Sequence, residues 1–144
     1  MKKSVTFILN IFIIVFLVYS TSLAQKKLIQ ITEVSIEGPN SAGGIDVTIS
    51  WKNLSKKTLK YIEFGVEAYN KVDDRVTDDV SGDFVQYCKS IGPYPSGSED
   101  MDGWNNVWYN YSIVKAKVIE IELTWMDGTT KYLNKNQFIV LKKQ

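Results

Sequence analysis

An antiparallel β-sandwich is the fold class that this chain predicts, on three observations. Apolar and polar residues alternate with a period of two through several runs, among them 45–51, 62–68 and 119–125. After residue 24, no stretch sustains apolar residues at the spacings of three and four that a buried helix face requires. Clusters of Gly, Pro, Asn and Asp separate the runs at intervals of roughly ten residues, the rhythm of a sandwich built from short strands.

Taken in order, the chain opens on a targeting segment. Lys2 and Lys3 form a basic start, residues 7–19 are almost wholly apolar, and Ser22-Leu23-Ala24 puts small residues where a signal peptidase reads. Residues 1–24 are therefore predicted to be a secretory signal peptide, with the mature protein beginning at Gln25. The alternative is an uncleaved single-span anchor over residues 5–24, close to the ~20 residues that cross a bilayer. No cysteine stands near the site, so lipoprotein-type attachment is excluded. Residues 25–144 are the right length for a single β-sandwich domain with one core.

In the first strand Ile29 and Ile31 share one phase while Val34 and Ile36 share the other, which predicts a register slip near Thr32-Glu33. A turn at 40–44 leads to Ile45, Val47, Ile49 and Trp51, all on one face. After a turn at 53–57, Ile62, Phe64, Val66 and Ala68 point inward and Tyr61, Glu63, Glu67 and Tyr69 outward. Residues 84–91 alternate weakly, as an edge strand does, and a Pro-rich turn at 92–97 follows. Val107, Tyr109, Tyr111 and Ile113 predict a strand with this set facing the core. Ile119, Ile121, Leu123 and Trp125 are expected on one inward face, and Asp127-Gly128 signals a two-residue hairpin turn.

The run Val47-Thr48-Ile49-Ser50-Trp51-Lys52-Asn53-Leu54-Ser55, followed by Lys60-Tyr61-Ile62-Glu63-Phe64-Gly65-Val66-Glu67-Ala68-Tyr69-Asn70, resembles the strand, Asn-x-Ser, strand core of small bacterial extracytoplasmic immunoglobulin-like modules of the FxLYD type. Gly92-Pro93-Tyr94-Pro95-Ser96-Gly97 is similar to the loop before a late strand in those modules, and residues 104–113 and 119–129 fit their closing strands. The resemblance spans most of residues 31–132, although the Phe-x-Leu-Tyr-Asp string itself is missing and residues 133–144 lie outside it. It implies an immunoglobulin-like antiparallel sandwich of about seven strands without catalytic activity.

Composition narrows the chemistry. The chain has no histidine and one cysteine, which excludes His-dependent nucleophile systems, His-ligated zinc and an intrachain disulfide. With 17 basic and 16 acidic residues, and Lys2 and Lys3 leaving with the signal peptide, the charge stays near neutral and gives no field for nucleic acid. Asp73, Asp74, Asp78, Asp79 and Asp83 supply hard oxygen ligands but lack the spacing of a calcium loop, as do Asp100 and Asp102. They read as solvated loop acids, with calcium the alternative for residues 73–83. Cys88 reads as a small buried thiol. Asn53-Leu54-Ser55 and Asn110-Tyr111-Ser112 match glycosylation sequons.

One segment suggests a ligand. Trp104, Trp108, Tyr109 and Tyr111 lie together with Asn105, Asn106 and Asn110, a mixture of flat apolar faces and amides that suits a sugar or peptide. Alternation puts Trp104 and Trp108 on the side opposite Val107 and Tyr109, so Trp108 is expected on an exposed face. The functional expectation is an exported, non-catalytic protein-interaction or structural module at the cell envelope, in the periplasm, on the surface or outside the cell. The alternative is a small-ligand or glycan binder using Trp104, Trp108, Asn106 and Asn110. No cofactor, metal or nucleic acid is expected, and membrane contact only through an uncleaved signal segment.

Overall fold

The computed structural model describes residues 26–141, so the expected signal peptide, its cleavage point and Gln25 lie outside the described residues. The described residues form nine strands and no helix: β1 (Ile29–Glu37), β2 (Gly44–Asn53), β3 (Leu59–Tyr69), β4 (Arg75–Val76), β5 (Val85–Tyr94), β6 (Glu99–Tyr109), β7 (Lys115–Trp125), β8 (Thr130–Asn134) and β9 (Ile139–Val140). One sheet runs β6-β2-β1-β9 and the other runs β4-β3-β7-β8, with β5 also paired to β3. β5 covers Leu59 to Glu67 of β3, and β4 continues that edge at Ala68 and Tyr69. The seven longer strands thus divide as three against four, an immunoglobulin-like sandwich in which the strand after β3 stays in the sheet of β3, β7 and β8.

Side-chain alternation builds the core. Ile45, Val47, Ile49 and Trp51 of β2 face Ile62, Phe64, Val66 and Ala68 of β3, all essentially sealed from solvent. Trp51 packs edge-on to Phe64 and Tyr94, with ring centroids 6.0 and 4.8 Å apart. The expected slip in β1 is a bulge at Thr32: Ile31 pairs with Trp51 and Glu33 with Ser50, leaving one residue over. Ile29 and Ile31 therefore enter the core before it, and Val34 and Ile36 pack against the core after it.

Three expectations are corrected. Ile119 does not share the inward face of Ile121, Leu123 and Trp125, because Gly65 pairs with Glu120 and Val66 with Val118, so that Ile119 is the extra residue of a bulge. Val118 takes the core position instead. The loop after β7 has three residues rather than two: Trp125 N donates to Thr129 O and Gly128 N to Trp125 O, both at 2.9 Å. Gly128, at φ 81°, supplies the left-handed residue that ends such a loop. The aromatic strand spans Glu99–Tyr109 and stops before Tyr111, which is 66% exposed in the following turn.

Candidate interaction cleft

The structure does not assemble the Trp/Asn platform. Ile45 of β2 pairs with Trp108 and Val47 with Trp104, so both tryptophans face the core side of β6. Trp108 is completely buried, and its indole N–H meets no acceptor among the described residues. The extra residues between the two tryptophans form a wide bulge, with Asn106 at φ 52°. Asn106 accepts from Asn40 Nδ2 at 2.9 Å, and its N–H donates to Asp46 Oδ1 at 2.7 Å. Asn110 is turned the other way, donating to Thr77 O at 3.0 Å and Asp79 Oδ1 at 2.9 Å. Trp104 is half-buried, edge-on to Phe64, and its indole N–H donates to Lys89 O at 3.1 Å. The four residues point into different structural contacts and do not converge.

The other singled-out residues also have structural partners. Asp78 is buried, and burial alone would raise its carboxyl, yet N–H donors from Tyr109 at 2.6 Å and Ser81 at 2.7 Å hold it below the usual carboxylate range. Asp73 pairs with Lys115, and no described group of three or more acids, Cys or His is arranged to hold a metal ion. Cys88 is buried and its thiol is pushed up to about 12, chiefly by burial and further by the Glu63 charge. Asn53 is fully buried, its amide donating to Lys57, Tyr94 and Pro95 carbonyls at 3.0–3.1 Å, so this sequon side chain is a pin between loops.

A concavity lies elsewhere, along one lateral side of the sandwich. β8 pairs with β7 only from Glu120 to Thr124, so among the described residues the β7 edge from Lys115 to Ile119 has no strand neighbour on that side. β9 pairs with β1 only at Gln30 and Ile31, and Leu141 N donates to Ile31 O at 2.9 Å before the described chain ends. Among the described residues the β1 edge from Val34 to Glu37 likewise has no strand beside it. Between these two edges opens a cleft of about 420 Å³ with Ile31, Val34, Ala116, Val118, Val140 and Leu141 as its apolar lining. Glu33, Lys115 and Lys117 stand at the rim, and Lys117 Nζ lies 3.9 Å from the Tyr69 ring centroid. Val140 and Leu141 are about half exposed there. The phase slip of β1 was the sequence's one hint of this cleft, because the bulge turns Val34 toward it; the shortness of β8 and β9 had no counterpart in the pattern.

No family model matches the chain, and no curated protein matches it. Among solved structures the chain is similar to IrmA of Escherichia coli, with a TM-score of 0.57 and 7% identity over 83% of this chain and 95% of that one. A likeness at that identity shows the sandwich fold alone.

Proposed function

We propose that this chain is an exported, non-catalytic immunoglobulin-like module, akin to the FxLYD type, whose role at the cell envelope is to bind a partner protein. The observation that carries this reading is the apolar cleft between two strand edges that lack described neighbours. Such an edge offers a row of backbone donors and acceptors, and an extended segment laid along it gains a ladder of hydrogen bonds while its alternate side chains fill the cleft. Burial of Trp108 removes the residue on which a sugar platform depended. A protein ligand fits the cleft better than a sugar, because its lining is mostly aliphatic.

A photo-crosslinking amino acid placed at Leu141 tests the reading in living cells. It should yield a discrete adduct with another protein, while the same group at Val80, more exposed and outside the cleft lining, should not. Heptapeptides selected on the purified protein should slow amide exchange at residues 34–37 or 115–119, and Val140→Asp should abolish that protection. Binders that protect other amides, or that ignore Val140→Asp, would overturn the proposal.

A further inference from the structure

The outer face of the larger sheet carries a second arrangement that neither the core nor the cleft uses. Two rows cross it in register: Lys89, Glu63, Glu122 and Tyr132, then Tyr87, Gly65, Glu120 and Asn134. Glu63 and Glu122 are direct cross-strand partners, a like-charge pairing that destabilises a sheet. Beside them Glu120 lies across the backbone of Gly65, where an added Cβ would sit 2.4 Å from its Cγ. Glycine at this position is what lets the carboxylate lie flat on the sheet. Tyr87 donates its hydroxyl to Glu120 Oε1 at 2.8 Å, and Tyr132 donates to Oε2 from the other side.

The result is a groove of about 280 Å³ with a carboxylate floor between two phenol rings that are 62% and 56% exposed. Both tyrosines are more than half exposed, which leaves ring surface open to a partner. Lys89 reaches only the margin, with Nζ 4.0 Å from Glu63 and 5.0 Å from the Tyr61 ring centroid.

We propose that this groove docks a lysine or arginine side chain of a partner protein, its cationic head between Tyr87 and Tyr132 above Glu120, with Glu63 and Glu122 completing the charge match. A cation there meets ring faces and carboxylates together, and it relieves the Glu63–Glu122 repulsion that the free protein carries. A neutral sugar stacks on the rings but leaves that repulsion in place. Metal is a poorer occupant, since among the described residues no group of three or more acids is arranged to hold one.

Titration of the full mature protein with tetralysine, tetra-arginine and tetraserine, followed by amide NMR shifts, tests the site. Both cationic peptides should move the signals of Gly65, Tyr87, Glu120 and Tyr132, and tetraserine should not. Glu120→Gln, and separately Tyr87→Ala with Tyr132→Ala, should weaken binding about 3- to 10-fold, while Tyr132→Phe keeps most of it. Tyr87 and Tyr132 are exposed and Glu120 half-buried, so unchanged melting curves are expected, and a melting shift would identify a misfolded variant to be replaced by Glu122→Gln, whose side chain is exposed. Glu37→Gln removes the same charge elsewhere and should leave affinity unaltered, as should Val140→Asp in the cleft. An equal loss in Glu37→Gln reduces the binding to bulk charge and overturns the proposal, as would shifts centred away from the groove or a neutral oligosaccharide producing the same shifts.

Discussion

The two lateral sides of this sandwich solve the same problem differently. Where β5 and β6 meet, the gap between the sheets is stitched by side chains. Asp102 of β6 points inward and accepts from Ser90 Oγ at 2.7 Å, Trp51 Nε1 at 3.3 Å and Tyr94 Oη at 3.4 Å, joining both sheets through one carboxylate. Trp104 then reaches from β6 to the Lys89 carbonyl of β5. An inward-pointing acid on an edge strand also discourages further strands from adding there. Nearby Asp100 shows the cost of such acids, since burial, and then the Asp102 charge, raise its carboxyl above the usual range. On the opposite side the lining between β1 and β7 is mostly aliphatic, with Glu33, Lys115 and Lys117 at the rim, and among the described residues β8 and β9 leave parts of both edges without a strand neighbour. A sandwich side is closed by groups that can span from sheet to sheet, and where these are missing a cleft stays open between the edges.

The largest effect that can break this comparison lies on the stitched side. Trp108→Ala should cost about 3–5 kcal/mol in urea unfolding, because a fully buried indole is removed from the core end of β6. A loss below about 1 kcal/mol would mean that Trp108 is exposed in solution and that β6 faces the other way. Next in size, Asp102→Ala should cost about 1–3 kcal/mol by leaving the Trp51 and Ser90 donors without their acceptor, whereas Asp102→Asn should cost less because one oxygen remains. If both substitutions are neutral, the carboxylate does not close that side.

A smaller effect should appear in alkali. Cys88 on β5 has its thiol raised to about 12 from an ordinary 9, so its contribution to stability is fully present below about pH 9 and declines as pH rises toward 12. Tyr69, raised to about 12 by burial and by its hydrogen bond to Glu67, acts in the same direction from about pH 10 upward. Denaturation midpoints should therefore fall between pH 9 and 12, and the fall should begin later in Cys88→Ala. At pH 8 a thiol reagent should react with Cys88 only as fast as the protein opens. Rapid labelling of the native protein would contradict the sealed β5 face.

The smallest effect belongs to the open side. Val140→Asp and Lys117→Glu sit at the cleft lining and rim and should change stability by no more than about 0.5 kcal/mol, while altering whatever binds the cleft. A loss comparable to that of Asp102→Ala would show that these edges are already closed within the chain.

The sequence by itself determined the sheet faces of β2 and β3 and the bulge in β1, because period-two alternation follows directly from strand geometry and needs no knowledge of neighbours; the burial of Cys88 was legible from its chemistry, a small thiol with no group beside it to lower its pKa. It also placed Trp104 and Trp108 correctly on a common side. Which side that was, only the tertiary structure decided: β6 ends at Tyr109, so Tyr111 drops out of the apolar set that argued for the opposite face, and pairing with Ile45 and Val47 turns the tryptophans inward. The same holds for Ile119, since a single extra residue reverses the phase of everything beyond it. Beyond the β1 phase slip that turns Val34 toward it, the cleft was not legible along the chain, nor was the Tyr87, Glu120, Tyr132 groove, because each joins residues from strands that meet only in the folded sheets, at registers and edge lengths set by pairing between distant segments.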